Sequence, residues 1–153
     1  MIRKAELKDI GAIGRILCQV NDVHAQGRPD IFIEGKRKFN DEELKEILSN
    51  DELEFYVYEE DEVCAYACIE MHEYPKSENR HARKEIYVED LCVDENYRHK
   101  GIATKLLDYI SELGKQRGCD ALTLNVWACN KGAEAFYKIY GMQPFKTVME
   151  KKL

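Results

Sequence analysis

This chain predicts an α/β fold, a mixed sheet with helices on both faces, and two patterns carry that reading. The first half holds a hairpin signature: Glu54-Phe-Tyr-Val-Tyr and Val63-Cys-Ala-Tyr-Ala-Cys-Ile-Glu-Met flank the turn residues Asp61-Glu62. The second half alternates β-rich apolar runs with helical periodicity, the order of a β–α–β–α unit. An antiparallel front joined to such a unit makes one mixed sheet.

Ile2 to Ala5 reads as the first strand, and Asp9 can cap a helix whose Ile10, Ile13, Ile16, Leu17 and Val20 share a face. From Asn21 to Asn40, a stretch with Gly27, Pro29 and Gly35, the periodicity breaks. A loop with at most short helical turns is expected there, and long loops on compact domains tend to be functional. Asp41 to Leu48 is a second helix, followed by the hairpin. Strand four runs from about Lys84 to Val93, helix three from Gly101 to about Arg117, strand five from Ala121 to Trp127 and helix four from Lys131 to Tyr140. A last strand is expected over about Pro144 to Leu153. No repeat, low-complexity stretch or boundary interrupts residues 1–153, which read as a single domain.

The 153 residues are 44% hydrophobic and 34% charged, enough for one real core. The first residues lack the apolar stretch of a signal peptide, and no window approaches the roughly 18 apolar residues of a membrane span, so a cytoplasmic protein without a membrane partner is expected. Cysteines 18, 64, 68, 92, 119 and 129 form no Cys-x-x-Cys pair and read as reduced, packed thiols. Histidines 24, 72, 81 and 99 lack metal spacing, so no metal is expected. A net charge of −6 argues against a general nucleic-acid binder, which needs a basic face. Between Asp41 and Glu62 eleven acids face the single Lys45, a pattern of a solvated helix face and a hairpin turn, with a cation-attracting rim as the functional alternative. The basic run Lys76 to Lys84 reads as an exposed loop between strands.

The most informative stretch runs from Glu85 to Leu107. A strand ends at Val93, a turn carries Arg98, Lys100 and Gly101, and a helix with Ala103, Leu106, Leu107 and Ile110 on one face follows at once. A helix N-terminus has unpaired N–H groups and about half a positive charge, so this is a candidate phosphate site. One glycine is too few for a Walker loop or a dinucleotide fingerprint. What remains, Arg98-x-x-Gly101-x-Ala103, resembles the pyrophosphate loop of the GCN5-related N-acetyltransferases. Asn130-x-x-Ala133-x-x-Phe136-Tyr137, which follows a strand and precedes the glycine stop Gly141, is similar to that superfamily's next motif. As a plain helix, Asn130 suits an N-cap and Gly141 the left-handed position past the end.

The resemblance implies the acyl-CoA N-acyltransferase fold, mostly antiparallel with strands four and five parallel, and acetyl-coenzyme A as co-substrate. It implies that the coenzyme is held by Leu91, Cys92 and Val93, by Arg98, His99, Lys100, Gly101, Ile102, Ala103 and Thr104, and by Asn130, Ala133 and Tyr137. His99 stands where many members have glycine. Cys92 falls beside the thioester, but no base can be placed near it and packing is the simpler reading.

Acetyl transfer to an amine needs a proton removed first, because an amine of pKa near 10.4 is only about 0.04% neutral at pH 7. Strand alternation puts Glu89, Leu91 and Val93 on one face and Asp90, Cys92 and Asp94 on the other, so Glu89 and Asp90 are not expected to share a side. A local likeness to spermidine/spermine N-acetyltransferases, which have Glu-Asp at this position, implies that Glu89 takes the proton and Asp90 helps hold a cationic substrate. For each acid the plain alternative is a solvated or salt-bridged strand residue. Tyr137 falls where the family has its proposed general acid. A phenol is a reluctant donor to a thiolate, by about 2 kcal/mol, so a hydrogen bond to sulfur is the safer description. The expectation is an acetyl-CoA-dependent N-acetyltransferase acting on a small cationic amine. Protein N-termini or lysines as acceptors, a catalytically silent CoA-binding or sensing domain, and a homodimer stay open.

Overall fold

A computed structural model describes residues 1–153. Five strands lie in chain order: β1 (Ile2–Lys4), β2 (Glu54–Glu59), β3 (Val63–Tyr74), β4 (Arg83–Val93) and β5 (Ala121–Leu124). Neighbours are antiparallel except for the parallel pair β4 and β5. Four helices, α1 (Ile10–Gly27), α2 (Asp41–Leu48), α3 (Ile102–Gln116) and α4 (Lys131–Tyr140), complete the expected mixed architecture. No helix is long and apolar enough to cross a membrane.

The central strand explains the layering. Val63 to Ile69 is buried throughout, the signature of a strand covered on both faces. Val63, Tyr66 and Cys68 pack with Ile13, Ile16 and Leu17 of α1 and Leu44 of α2. Cys64, Ala65, Ala67 and Ile69 pack on the other side with Leu106, Leu107 and Ile110 of α3. Each fully buried aliphatic side chain contributes about 1.5–3 kcal/mol, so the two clusters fix the helices to opposite faces.

The acids of residues 41–62 are largely occupied by structure. Glu54 is buried and receives both guanidinium nitrogens of Arg117 at 2.6 and 2.9 Å, Glu59 pairs with Arg3, Asp41 with Arg37, and Glu43 completes a capping box with Asn40. A helix face and a hairpin turn are what remain.

Three boundaries differ from the sequence reading. α1 continues through Asn21 to Gly27, because Asn21 and Asp22 use their side chains to hold the next loop instead of breaking the helix: Asn21 Nδ2 donates to the Ile33 carbonyl and Gly35 N–H donates to Asp22 Oδ1, both at 2.8 Å. β5 stops at Leu124, three residues before Trp127. The last strand does not form. The backbone of residues 143–153 makes no hydrogen bond within the chain, Pro144 lacks an N–H, and the segment touches the body through Phe145 under the Arg83 guanidinium (5.2 Å) and Glu150 on Arg28 (3.0 Å). A strand needs a partner edge, and a residue pattern does not supply one.

Gly114 sets how closely α3 approaches β4, since a Cβ there would lie 2.8 Å from Ile86 Cγ2, whereas one at Gly132 of α4 would meet nothing within 4 Å. Gly114→Val should therefore lose about 2–3 kcal/mol in urea unfolding, and Gly132→Ala should be neutral or gain up to about 1 kcal/mol.

Candidate active site

The site begins where the two parallel strands part. β4 pairs with β5 only from Glu85 to Val88, while its pairing with β3 continues to Val93. From Glu89 to Val93, then, β4 has no strand on its β5 side, which leaves that edge open along Leu91, Cys92 and Val93.

A β-bulge at the same point reorders the side chains. Cys68 pairs with Asp90 and the next residue, Ile69, pairs with Val88, so Glu89 is the extra residue. A bulge interrupts strict alternation. Val88, Leu91 and Val93 belong to the cluster on the α3 side, and Cys92 to the cluster on the α1 side. Glu89 and Asp90 both lie within electrostatic reach of Lys38, so the bulge does not separate them as strict alternation predicts. Lys38 Nζ donates to Glu89 Oε1 at 2.5 Å and lies within electrostatic reach of Asp90 and Cys68. Asp90 Oδ2 is buried without a hydrogen-bond partner. Burial, opposed by Lys38 and reinforced by Glu89, pushes its pKa up to about 6.

Burial raises the Cys92 thiol to about 12, so it is a protonated, packed thiol. Tyr137, packed against the α3-side cluster with its ring 5.4 Å from that of Phe136, is pushed well above the ordinary phenol range by burial first and then by Cys92 and Asp90. It keeps its proton and can donate a hydrogen bond. Asn130 Oδ1 accepts from the Ala133 N–H at 3.2 Å, a cap that fixes the start of the helix carrying Tyr137. Tyr140 serves packing instead, its hydroxyl bonded to Ser111 and Asp108 of α3.

The turn between β4 and α3 presents a different chemistry. The N–H groups from Arg98 to Thr104 have no acceptor within the chain, so Arg98, His99, Lys100, Gly101, Ile102, Ala103 and Thr104 form a run of unpaired donors at a helix N-terminus. Gly101 caps α3 at φ 76°, and His99 also has positive φ, 64°. That backbone explains why a glycine suits the position now held by His99. Arg98 Nε donates back to the Val93 carbonyl, and Lys100 sits over the Tyr97 ring.

Several parts of this arrangement carried no sequence signal. Fully buried Asp94 anchors the turn to α1 through ion pairing with Arg15 and a hydrogen bond from Gln19, while its own Oδ1 accepts from Asn96 N–H. Gln19 Oε1 in turn accepts from Glu95 N–H at 2.9 Å. Lys38 comes from a loop without any motif, and the same loop brings Phe32 against His24 and Trp127, with ring centroids 4.9 and 5.2 Å apart. Only the Asp-x-Asn spacing at 94–96, typical of a side chain capping its own turn, could have drawn attention to Asp94.

Residues 20–142 match the profile of the acetyltransferase (GNAT) family. The chain belongs to that family. Among curated proteins, thialysine N-epsilon-acetyltransferase of Bos taurus is 38% identical over 60 residues, 39% of this chain and 35% of that protein, so the match spans about a third of the relative's length. Among solved structures, a mutant of the BH1408 protein of Bacillus halodurans superposes with a TM-score of 0.94 at 31% identity, covering 100% of this chain and 99% of that one. An aminoglycoside N-acetyltransferase solved in complex with CoA superposes with a TM-score of 0.71 over 100% of this chain and 98% of that one; at 15% identity it shows the GNAT fold alone.

The raised pKa of Asp90 makes it a stability liability. The folded chain holds this proton more tightly than the unfolded one, so the penalty is absent below about pH 4, grows as pH rises and is complete above about pH 6. Asp90→Asn should therefore raise stability at pH 7.5, by up to about 3 kcal/mol, and the gain should vanish at pH 4 in paired thermal melts.

Proposed function

We propose that this GNAT chain is an acetyl-CoA-dependent N-acetyltransferase whose acceptor is a small amine carrying positive charge. The observation that carries the reading is the ammonium of Lys38 on Glu89, near the buried, unpaired Oδ2 of Asp90: two carboxylates on one bulge form a place for a protonated amine. Support also comes from the Bos taurus relative, named for acetylating the ε-nitrogen of thialysine, and from the CoA complex of the aminoglycoside enzyme.

The residues fit the coenzyme on chemical grounds. The unpaired N–H donors from Arg98 to Thr104 would hold its pyrophosphate, the open edge of β4 at Leu91 to Val93 would pair with its amide arm, and Asn130 and Ala133 would set the start of α4 beside it. When bound, acetyl-CoA supplies the acetyl group as a thioester. In this reading Glu89 accepts the amine's proton and Asp90 holds the positive charge close by. Tyr137, kept protonated by burial, donates a hydrogen bond to the departing sulfur. Cys92 takes no part, since a thiol of pKa about 12 is no nucleophile at neutral pH.

Thiol release from acetyl-CoA against a panel of amines, peptides and aminoglycosides tests the reading; a panel in which no added amine raises turnover would overturn it. Tyr137→Phe should lower kcat about 10- to 1,000-fold with little change in the coenzyme's KM, because a leaving-group hydrogen bond strengthens as charge grows on sulfur. Full activity with a lower melting temperature would reduce Tyr137 to a core aromatic. Arg98→Glu should weaken acetyl-CoA binding in calorimetry, more at low salt than at high salt.

A further inference from the structure

We propose that the site acetylates its own Lys38 when no acceptor amine displaces it. This rests on the reading above, since it uses the same carboxylates and the same co-substrate. Lys38 is a primary amine, 44% exposed at its side chain, and its nitrogen already lies on the carboxylate assigned to the acceptor's proton. The loop that carries it is fastened at both ends, by Asn21 and Asp22 to Ile33 and Gly35 and by Arg37 to Asp41, so the amine is held at high effective concentration. Its four-carbon stem is flexible enough to move the nitrogen without moving the loop. Asp90 and Cys92 lie within electrostatic reach of both Lys38 and Tyr137, so they link the lysine to the phenol. In the step, the Lys38 ammonium gives a proton to Glu89 and its nitrogen bonds to the thioester carbonyl carbon. The carbon–sulfur bond breaks, and the electron pair leaves with sulfur, which ends as the free thiol. Acetyl-lysine, coenzyme A and one proton are the products. Loss of the ammonium would leave Glu89 and Asp90 free for an external cation, so the modification would open the acceptor site.

The purified chain is incubated with acetyl-CoA alone and followed by intact mass and peptide mapping. One acetyl group per chain at Lys38 is expected, slowed about tenfold or more by Glu89→Gln and by saturating putrescine, and absent from Lys38→Arg. Acetylation spread equally over exposed lysines such as Lys8 and Lys131, or none at Lys38 while added amines still release thiol normally, would overturn this inference and leave the proposed function standing. No thiol release under any condition would remove both.

Discussion

The bulge at Glu89 is the constraint on which the site depends. A regular strand would send Glu89 and Asp90 to opposite faces, one toward α3 and one toward α1. The extra residue lets both carboxylates lie within electrostatic reach of Lys38, at the level where β5 leaves β4. The open backbone edge and the acid pair are thus products of one local irregularity, flanked on both faces by packed clusters that keep β4 straight enough to hold it.

Electrostatics then distributes the roles. Asp90 sits where burial disfavours its charge, Lys38 partly compensates, and Glu89 keeps the ion pair nearer solvent. Tyr137 stays protonated because burial and neighbouring negative charge oppose phenolate. Asp94 works differently: its charge is committed to Arg15 and Gln19, so it holds the donor turn in place instead of meeting a ligand. A site assembled this way stores instability in Asp90 and draws its rigidity from Asp94 and α1.

Much of the fold was legible because it rests on periodicity. The stripe Leu106, Leu107 and Ile110, the continuous apolar run of β3 and the Gly141 stop each follow from a rule local to a few residues. The donor turn was legible for the same reason, since Gly101 and the start of α3 are adjacent in sequence. What escaped were properties of pairing and distance. The bulge exists because β3 and β4 slip register by one residue, and Lys38 reaches Glu89 across 51 residues of chain. The Pro144–Leu153 strand was misjudged for the converse reason: its residues suit a strand, but no edge within the chain receives them. Asn21 and Asp22 looked like helix breakers because their partners, Ile33 and Gly35, lie a dozen residues away.

The central claim is that Glu89 and Asp90 together form a seat for an ammonium group. The most direct measurement is the titration of the Asp90 carboxyl carbon by NMR, with and without a saturating cationic amine. Asp90 should titrate near pH 6 in the free protein, and the amine should move that titration to lower pH as its positive charge takes over the role of Lys38. An Asp90 that titrates near the ordinary value of about 4, or one whose titration a saturating cationic amine leaves unmoved, would contradict the account.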